Sequence, residues 1–445
     1  MRNDFKKGDA DRGIFYVYLA VLLWSPLPLA SNRPLFWSLL GLCVFALAFW
    51  WLFRFVRGQL SLSKAFRQSF LPLSLLLLWL GLLASQLLFS TTVSPSVTGD
   101  FLLRSTALVV FFILSLLLLR SRKRLRILAW VVVLSGSFQA FYGGLMTMSG
   151  MEFGFFVEKE YYTGVATGTF VNRNSLAGYL EMSLAIGVGL LLADLQRMNA
   201  VTVKQKVRHF VEWVLSHKMQ LRVLLAVMVV GLVLTHSRMG NAAFFISLLV
   251  SGLLWLLLEQ KKPKGGVLFL LITLFVIDLA IVGAWFGIEK VVDRLEGTSV
   301  AKESRDEVVR DSLVYLNDYK FMGSGGGTFE HVFPQYRGPD IDLDYDYAHN
   351  DFIQFAVETG LLGLSILGLL VLLTMKMALK MMRSGTRSLY RGMGFSAFMG
   401  VLAIMIHSTV DFNLQMPANA LLFMVLLSLP WLGTLEETNK KPDGC

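Results

Sequence analysis

The chain has 445 residues, 55% of them hydrophobic and only 16% charged, with a mean hydropathy of +0.60. That balance excludes an ordinary soluble globular protein and points to an integral membrane protein. The net charge of +10 does not indicate a nucleic-acid partner, because the basic residues form neither one face nor one tail. They fall in short clusters between apolar runs, the pattern that orients helices in a bilayer.

The N-terminal stretch MRNDFKKGDADR is charged and leads into a long apolar run without an A-x-A-like cleavage site, so a retained first helix is expected rather than a removed signal peptide. Cys43 lies inside an apolar run and Cys445 ends the sequence; the pair suits neither a structural disulfide nor a metal site. About 20 apolar residues cross the hydrocarbon layer. By that measure about twelve spans are predicted, at 13–31, 34–53, 70–89, 101–119, 127–148, 174–195, 220–236, 240–258, 267–287, 352–375, 392–407 and 416–434. The expected fold is an all-α polytopic membrane protein built as one membrane domain over 1–445. Nine transmembrane helices fall in 13–287, a large external loop in 288–350, and three more helices in 351–434.

The connections alternate in charge. Basic segments follow the second, fourth, sixth, eighth and tenth spans, among them RFVRGQLSLSKAFR, RSRKRLR and EQKKPKGG. These loops are expected on the cytoplasmic side, with both termini. The 288–350 loop is different, with 13 acidic residues against 7 basic ones, and should form a subdomain on the outer face. Within it, Val308, Val309, Leu313 and Leu316 have the spacing of an amphipathic helix over Lys302 to Asn317 that lies on something apolar.

Polar residues gather on that same outer side. Asn172, Arg173 and Asn174 precede the sixth span, and His236, Ser237 and Arg238 sit in a tight hairpin between the seventh and eighth. Arg305, Arg310 and Arg337 lie in the large loop; His349 and Asn350 open the tenth span; His407, Asp411 and Asn413 close the eleventh. Several arginines on one external face suggest an anion site, since guanidinium matches phosphate oxygens and a mere topology signal would sit inside. The alternative for Arg238 or Arg305 is a simple pairing with loop carboxylates. His349 could likewise be an interfacial structural residue. With Asn350 or Asp351 capping the tenth helix, however, its imidazole lies beside the positive end of a helix dipole, which favours the neutral ring that a general base requires.

Two motifs carry less weight. Gly323, Gly325, Gly326 and Gly327 lack the strand and βαβ context of a nucleotide loop, and a flexible turn is expected there. The run Asp340, Asp342, Asp344, Asp346 and Asp351 imitates calcium-loop spacing, but Tyr345 occupies the glycine position and Asp351 that of the bidentate glutamate, so no metal is assigned. Arg104, Glu181 and Asp278 are ionisable residues within apolar runs; Glu181 is placed to face the external cavity, and Asp278 should have an interior partner.

The blocks GTFVNRNSLAGYLEM, LTHSRMG, SRDEVVR with FMGSGGGTFE, YAHNDFIQFAVETGLLG and HSTVDFN, in that order over 168–420, resemble the O-antigen ligase and Wzy-type polymerase superfamily. The resemblance implies a GT-C-like inverting glycosyltransferase of the bacterial inner membrane, with its active site facing the periplasm. It implies no cofactor and no required metal. The donor would be a glycan on undecaprenyl pyrophosphate; the acceptor, a hydroxyl of lipid A core or of a growing lipid-linked polysaccharide. Arg238 and Arg305 would hold the pyrophosphate, with Arg310 less firmly implied, and His349 would deprotonate the acceptor. Asn172, Arg173, Asn174, Arg337, Asn350, His407 and Asp411 would support them. Ligase and polymerase are not separated by these blocks. Two other classes compete: a twelve-helix transporter, which should show two matching halves and a long central cytoplasmic loop, and a membrane O-acyltransferase, which would give the arginines no role.

Overall fold

The structure is a computed structural model that describes residues 10–150, 152–154, 157–159, 161–194, 217–258, 305–341, 343–384 and 388–433. It is almost wholly helical. In chain order the main helices are α1 (Arg12–Trp24), α2 (Pro34–Val56), α3 (Lys64–Gln68), α4 (Phe70–Leu88), α5 (Pro95–Leu118), α6 (Arg122–Ser149), α7 (Arg173–Ala193), α8 (His217–Leu234) and α9 (Arg238–Leu258). After them come α10 (Arg305–Asp318), α11 (Phe329–Val332), α12 (Asp351–Ser384), α13 (Ser388–His407) and α14 (Pro417–Leu432). A hairpin of two-residue strands, β1 (Phe153–Gly154) and β2 (Val157–Glu158), follows α6.

Eight of the described helices are long and apolar enough to cross a membrane, and α1, α8 and α14 are shorter apolar helices. Each expected span other than 267–287 has a counterpart; that one, with Asp278, lies outside the described residues. The first is shorter than expected and stops at Trp24 rather than residue 31. Pro26 and Pro28 supply no N–H and restrict the residues before them, and the chain then turns through Leu29, Ala30 and Ser31 at positive φ. Prolines at the first turns of α2, α5 and α14 act in the opposite sense, where a missing N–H costs nothing.

The helix α7 is the axis of the fold: every residue from Asn174 to Ala193 is buried, and α6, α8, α9, α13 and α14 pack around it. Its contact with α13 is backbone-close, since a Cβ on Gly189 would stand 2.2 Å from the Gly392 carbonyl oxygen. Small residues permit that approach where lipid offers no hydrophobic drive for association. The outer helices instead expose large apolar side chains, such as Leu35, Phe49 and Val56 on α2 and Phe70 and Leu77 on α4, as a lipid-facing surface requires.

The ends of the bundle differ in chemistry. At one end, Arg124 and Arg120 meet the buried Asp11 at 2.5 and 3.3 Å, and Arg126 pairs with Asp194 at 2.9 Å. The other end carries the described part of the loop, which has a core of its own: Val308, Tyr315, Phe329, Val332, Phe333, Ile341, Ala348 and Val357. The amphipathic helix is present as α10, but its buried face runs through Val308, Asp311, Ser312 and Tyr315, and Leu313 is half exposed. It lies on this small aromatic core.

Candidate active site

Four helix N-termini and one C-terminus meet beneath the loop. Asn172 caps α7 by accepting from the Asn174 N–H at 2.8 Å, and Asn350 caps α12 by accepting from the Ile353 N–H at 3.1 Å. Asn350 also donates to the Thr409 carbonyl at 2.8 Å, and the Asp351 N–H reaches the carbonyls of Ser408 and Asp411. The start of α12 is thereby fastened to the turn that follows His407 at the end of α13. The start of α9 rests on α7, where a Cβ at Gly240 would stand 2.6 Å from that of Ala177 and 3.2 Å from Glu181 Oε1.

Asp411 joins these ends. It is 1% exposed, accepts from Asn174 Nδ2 at 2.5 Å and from the Phe412 N–H at 2.8 Å, and has Arg305 Nη1 at 3.9 Å. A buried carboxylate costs several kcal/mol unless it is hydrogen-bonded and paired. Here both oxygens are engaged, and the distance to Arg305 is a charge contact rather than a hydrogen bond. Behind it, His407 Nδ1 lies 2.7 Å from Glu181 Oε1, joining α13 to α7 in the buried interior. Asp351 accepts from Ser408 at 2.7 Å and from the Leu414 N–H at 3.0 Å, closing the turn.

His349 packs against the residue that follows Asp411. Phe412, the neighbour of Asp411, packs edge-on against its imidazole at 4.8 Å and face-on against Tyr347 at 4.5 Å; Tyr345 packs edge-on against the same imidazole at 5.6 Å. The backbone of His349 has φ +50, and that of His236, two residues before Arg238, has φ +53. Left-handed conformations cost about 1 kcal/mol or more in residues other than glycine, and such strain persists where the surroundings over-determine it. Burial pushes the Tyr347 phenol up to about 12, so it remains a hydrogen-bond donor.

The remaining arginines are distributed differently. Arg238 begins α9 and is exposed beside the α7 contact. Arg173 lies over the Tyr162 ring at 5.7 Å. Arg310 is engaged by Asp311 and Asp340, each at 2.9 Å, and Arg337 by Asp344 at 2.7 Å, on the outer face of the loop.

The glycine run is not a flexible turn. Gly323, Gly325 and Gly326 are buried, and the segment forms a strap around a break in α12 at Gly360, where φ is +69. The Glu358 carboxylate accepts from the N–H groups of Gly327 and Phe329 and from Gln354, while Gln86 of α4 donates to the carbonyls of Met322 and Glu358. Sequence spacing could not reveal this, because the partners are separated by some thirty residues in one case and more than two hundred in the other. The packing of Phe412 against both Tyr347 and His349 also lacked a sequence signal.

A bundle of apolar helices, crowned by a small cap that brings Arg305 to Asp411 and His349 to the ring of Phe412 at helix ends, defines a polytopic membrane protein with a polar site at one rim. The segment 223–368, from α8 through the loop into α12, matches the family model described as O-Antigen ligase, which supports the O-antigen ligase and Wzy-type superfamily for this chain. The matched segment contains Arg238, Arg305, Arg310, Arg337, His349 and Asn350, whereas Asn174, His407 and Asp411 lie outside it. No curated protein matches the chain.

Proposed function

We propose that this protein is an inverting glycosyltransferase that moves a glycan from undecaprenyl pyrophosphate to an acceptor hydroxyl, working in the bacterial inner membrane with the 288–350 loop and the site on the periplasmic face. The observation that carries the reading is the pairing of Arg305 and Asn174 with the buried Asp411, with His349 packed on the next residue, Phe412, where the starts of α7, α10 and α12 converge, partly within the segment that matches the O-antigen ligase family. Helix N-termini and guanidinium groups both favour an anion, and a rim of apolar helices favours one tethered to a lipid.

In this reading Arg238 and Arg305 bind the donor diphosphate. The acceptor oxygen attacks the anomeric carbon from the side opposite the diphosphate, its proton passes to the His349 imidazole, and the bond from the anomeric carbon to the phosphate oxygen breaks. The diphosphate leaves with the electron pair, and its developing charge is held by the two arginines. Asp411 and Asn174 orient Arg305; Asn350 fixes the helix start that carries His349; Glu181 and His407 brace the same turn from below. No metal or cofactor is assigned a step. The acceptor is a lipid A core or a lipid-linked chain.

The test is transfer from a polyprenyl-diphosphate-linked oligosaccharide by the purified protein. Arg238→Ala should weaken binding of undecaprenyl pyrophosphate about tenfold or more. Unchanged donor affinity and turnover in that variant would reject the clamp, and absence of transfer by the wild-type protein with either acceptor would reject the reaction.

A further inference from the structure

Glu181 and His407 are both fully buried, and His407 Nδ1 meets Glu181 Oε1 at 2.7 Å. Each also leaves one polar atom, Glu181 Oε2 and His407 Nε2, buried without a hydrogen-bond partner among the described residues. A buried ionisable pair is a poor source of stability, since apolar side chains of similar volume often hold helices together as well or better. An incompletely satisfied pair is poorer still. Fastening α13 to α7 does not by itself account for these two residues.

Glu181 also lies against the start of α9. A Cβ on Gly240 would stand 3.2 Å from Glu181 Oε1, 2.6 Å from the Cβ of Ala177 and 2.9 Å from Ser237 Oγ. Glycine lets the first turn of α9 rest directly on the carboxylate oxygen that His407 holds. Ser237 caps that turn: its hydroxyl accepts from the Gly240 N–H at 3.2 Å, and its carbonyl accepts from Asn241 Nδ2 at 2.8 Å. Arg238 is the residue between the cap and the contact, so its backbone moves only if the capped turn moves.

Asn174 and Glu181 stand on one face of α7, two turns or about 10 Å apart. Asn174 reaches Asp411, which has Arg305 Nη1 at 3.9 Å. Glu181 reaches Gly240, two residues from Arg238. His407, four residues before Asp411, ties the second contact to the turn that carries the first.

We propose that Glu181 is a positioning residue for the diphosphate clamp. Held by His407, it fixes Arg238 in register with Arg305, and through that spacing it makes the site select a lipid diphosphate over a lipid monophosphate. This rests on the two-arginine clamp proposed above. A diphosphate has two phosphoryl groups and engages both guanidinium groups at once, whereas a monophosphate engages one. Two contacts made by one ligand reinforce each other only while their spacing is kept, so a loosened α9 start penalises the diphosphate most.

The test is equilibrium binding of undecaprenyl pyrophosphate and undecaprenyl monophosphate to the purified full-length protein, which needs no turnover. The wild-type protein should prefer the diphosphate about tenfold or more, and Arg238→Ala should bring the two ligands within about threefold. The double variant Glu181→Leu with His407→Leu replaces the pair by apolar side chains and should melt no lower than wild type. Its preference should nevertheless fall about fivefold or more, and adding Arg238→Ala should reduce it little further. Glu181→Gln keeps an oxygen that accepts from His407 Nδ1–H and should retain the preference within about twofold. Gly240→Ala keeps the pair but has no room for its Cβ, and should lose the preference as the double variant does. A folded double variant with the wild-type preference, or one whose loss adds in full to that of Arg238→Ala, overturns the assignment. Should the double variant not fold, the single variants decide: a preference retained in Gly240→Ala, or lost in Glu181→Gln, overturns it. A preference left intact by Arg238→Ala would instead strike the clamp itself, and this inference with it.

Discussion

Arg305 and Arg310 stand on the same helix, one and a half turns apart, yet they occupy different environments. Arg305 faces the bundle and meets a carboxylate that is 1% exposed and already hydrogen-bonded to another helix. Arg310 faces outward and is shared between Asp311 and Asp340, with its own side chain 57% exposed. Residue type alone does not mark a site; the burial of the partner does. An exposed pair contributes about 0–1 kcal/mol, whereas a charge held beside a buried carboxylate at converging helix ends can stabilise a developing anion by about 2.7–4 kcal/mol. The inner and outer faces of the cap should therefore respond to mutation on different scales.

The largest expected effect is on the inner face. His349→Ala should express and fold normally but lose about 10²–10⁴-fold in transfer rate, the usual contribution of a general base. Single-turnover measurements with saturating donor check this, and normal rates would remove His349 from the chemistry. Next is the strap behind it. Glu358→Ala would leave the Gly327 and Phe329 N–H groups and Gln354 without their acceptor. At about 1–3 kcal/mol for each buried group so abandoned, the variant should melt well below the wild-type protein in detergent. An unchanged midpoint would show that the strap is not what holds the break in α12. Gly360→Ala should destabilise by more than about 1 kcal/mol, because φ is +69 and a Cβ would stand 2.0 Å from the Phe321 carbonyl oxygen.

The smallest effect belongs to the outer face. The Arg310 hydrogen bond holds the Asp340 carboxyl below the usual carboxylate range, so its contribution is present at neutral pH and is lost as pH falls through that depressed value. Because the pair is exposed, acidification should change the melting of Arg310→Ala and wild type almost alike; a large difference between their pH profiles would mean that the outer face is structurally important after all.

Much of this architecture was legible in the sequence. Apolar runs of bilayer length located the helices, since a spanning helix must satisfy its backbone internally, but not all of their ends: the tenth expected span, 352–375, runs on to Ser384, and the first stops at Trp24. The polar blocks were also legible: Asn174 and Arg305 both reach Asp411, and His349 packs on its neighbour Phe412. What spacing did not disclose were the long-range tasks of residues without a periodic pattern. Gly323 to Gly327 look like a mobile turn until Glu358 is seen to accept from their backbone. Phe412 looks like ordinary apolar filling until its ring is seen to stack on Tyr347 and to meet His349 at a right angle. Pro26 and Pro28 carried a clear stop signal, and the first helix ends before them.

The most direct measurement is a side-by-side comparison of Arg305→Ala and Arg310→Ala, with transfer from a polyprenyl-diphosphate oligosaccharide followed in single turnover. Arg305→Ala should lose about 10²–10³-fold in rate, and Arg310→Ala should change within about threefold, as expected of an exposed pair. Equal losses in the two variants, or the larger loss in Arg310→Ala, would contradict the division between inner and outer faces.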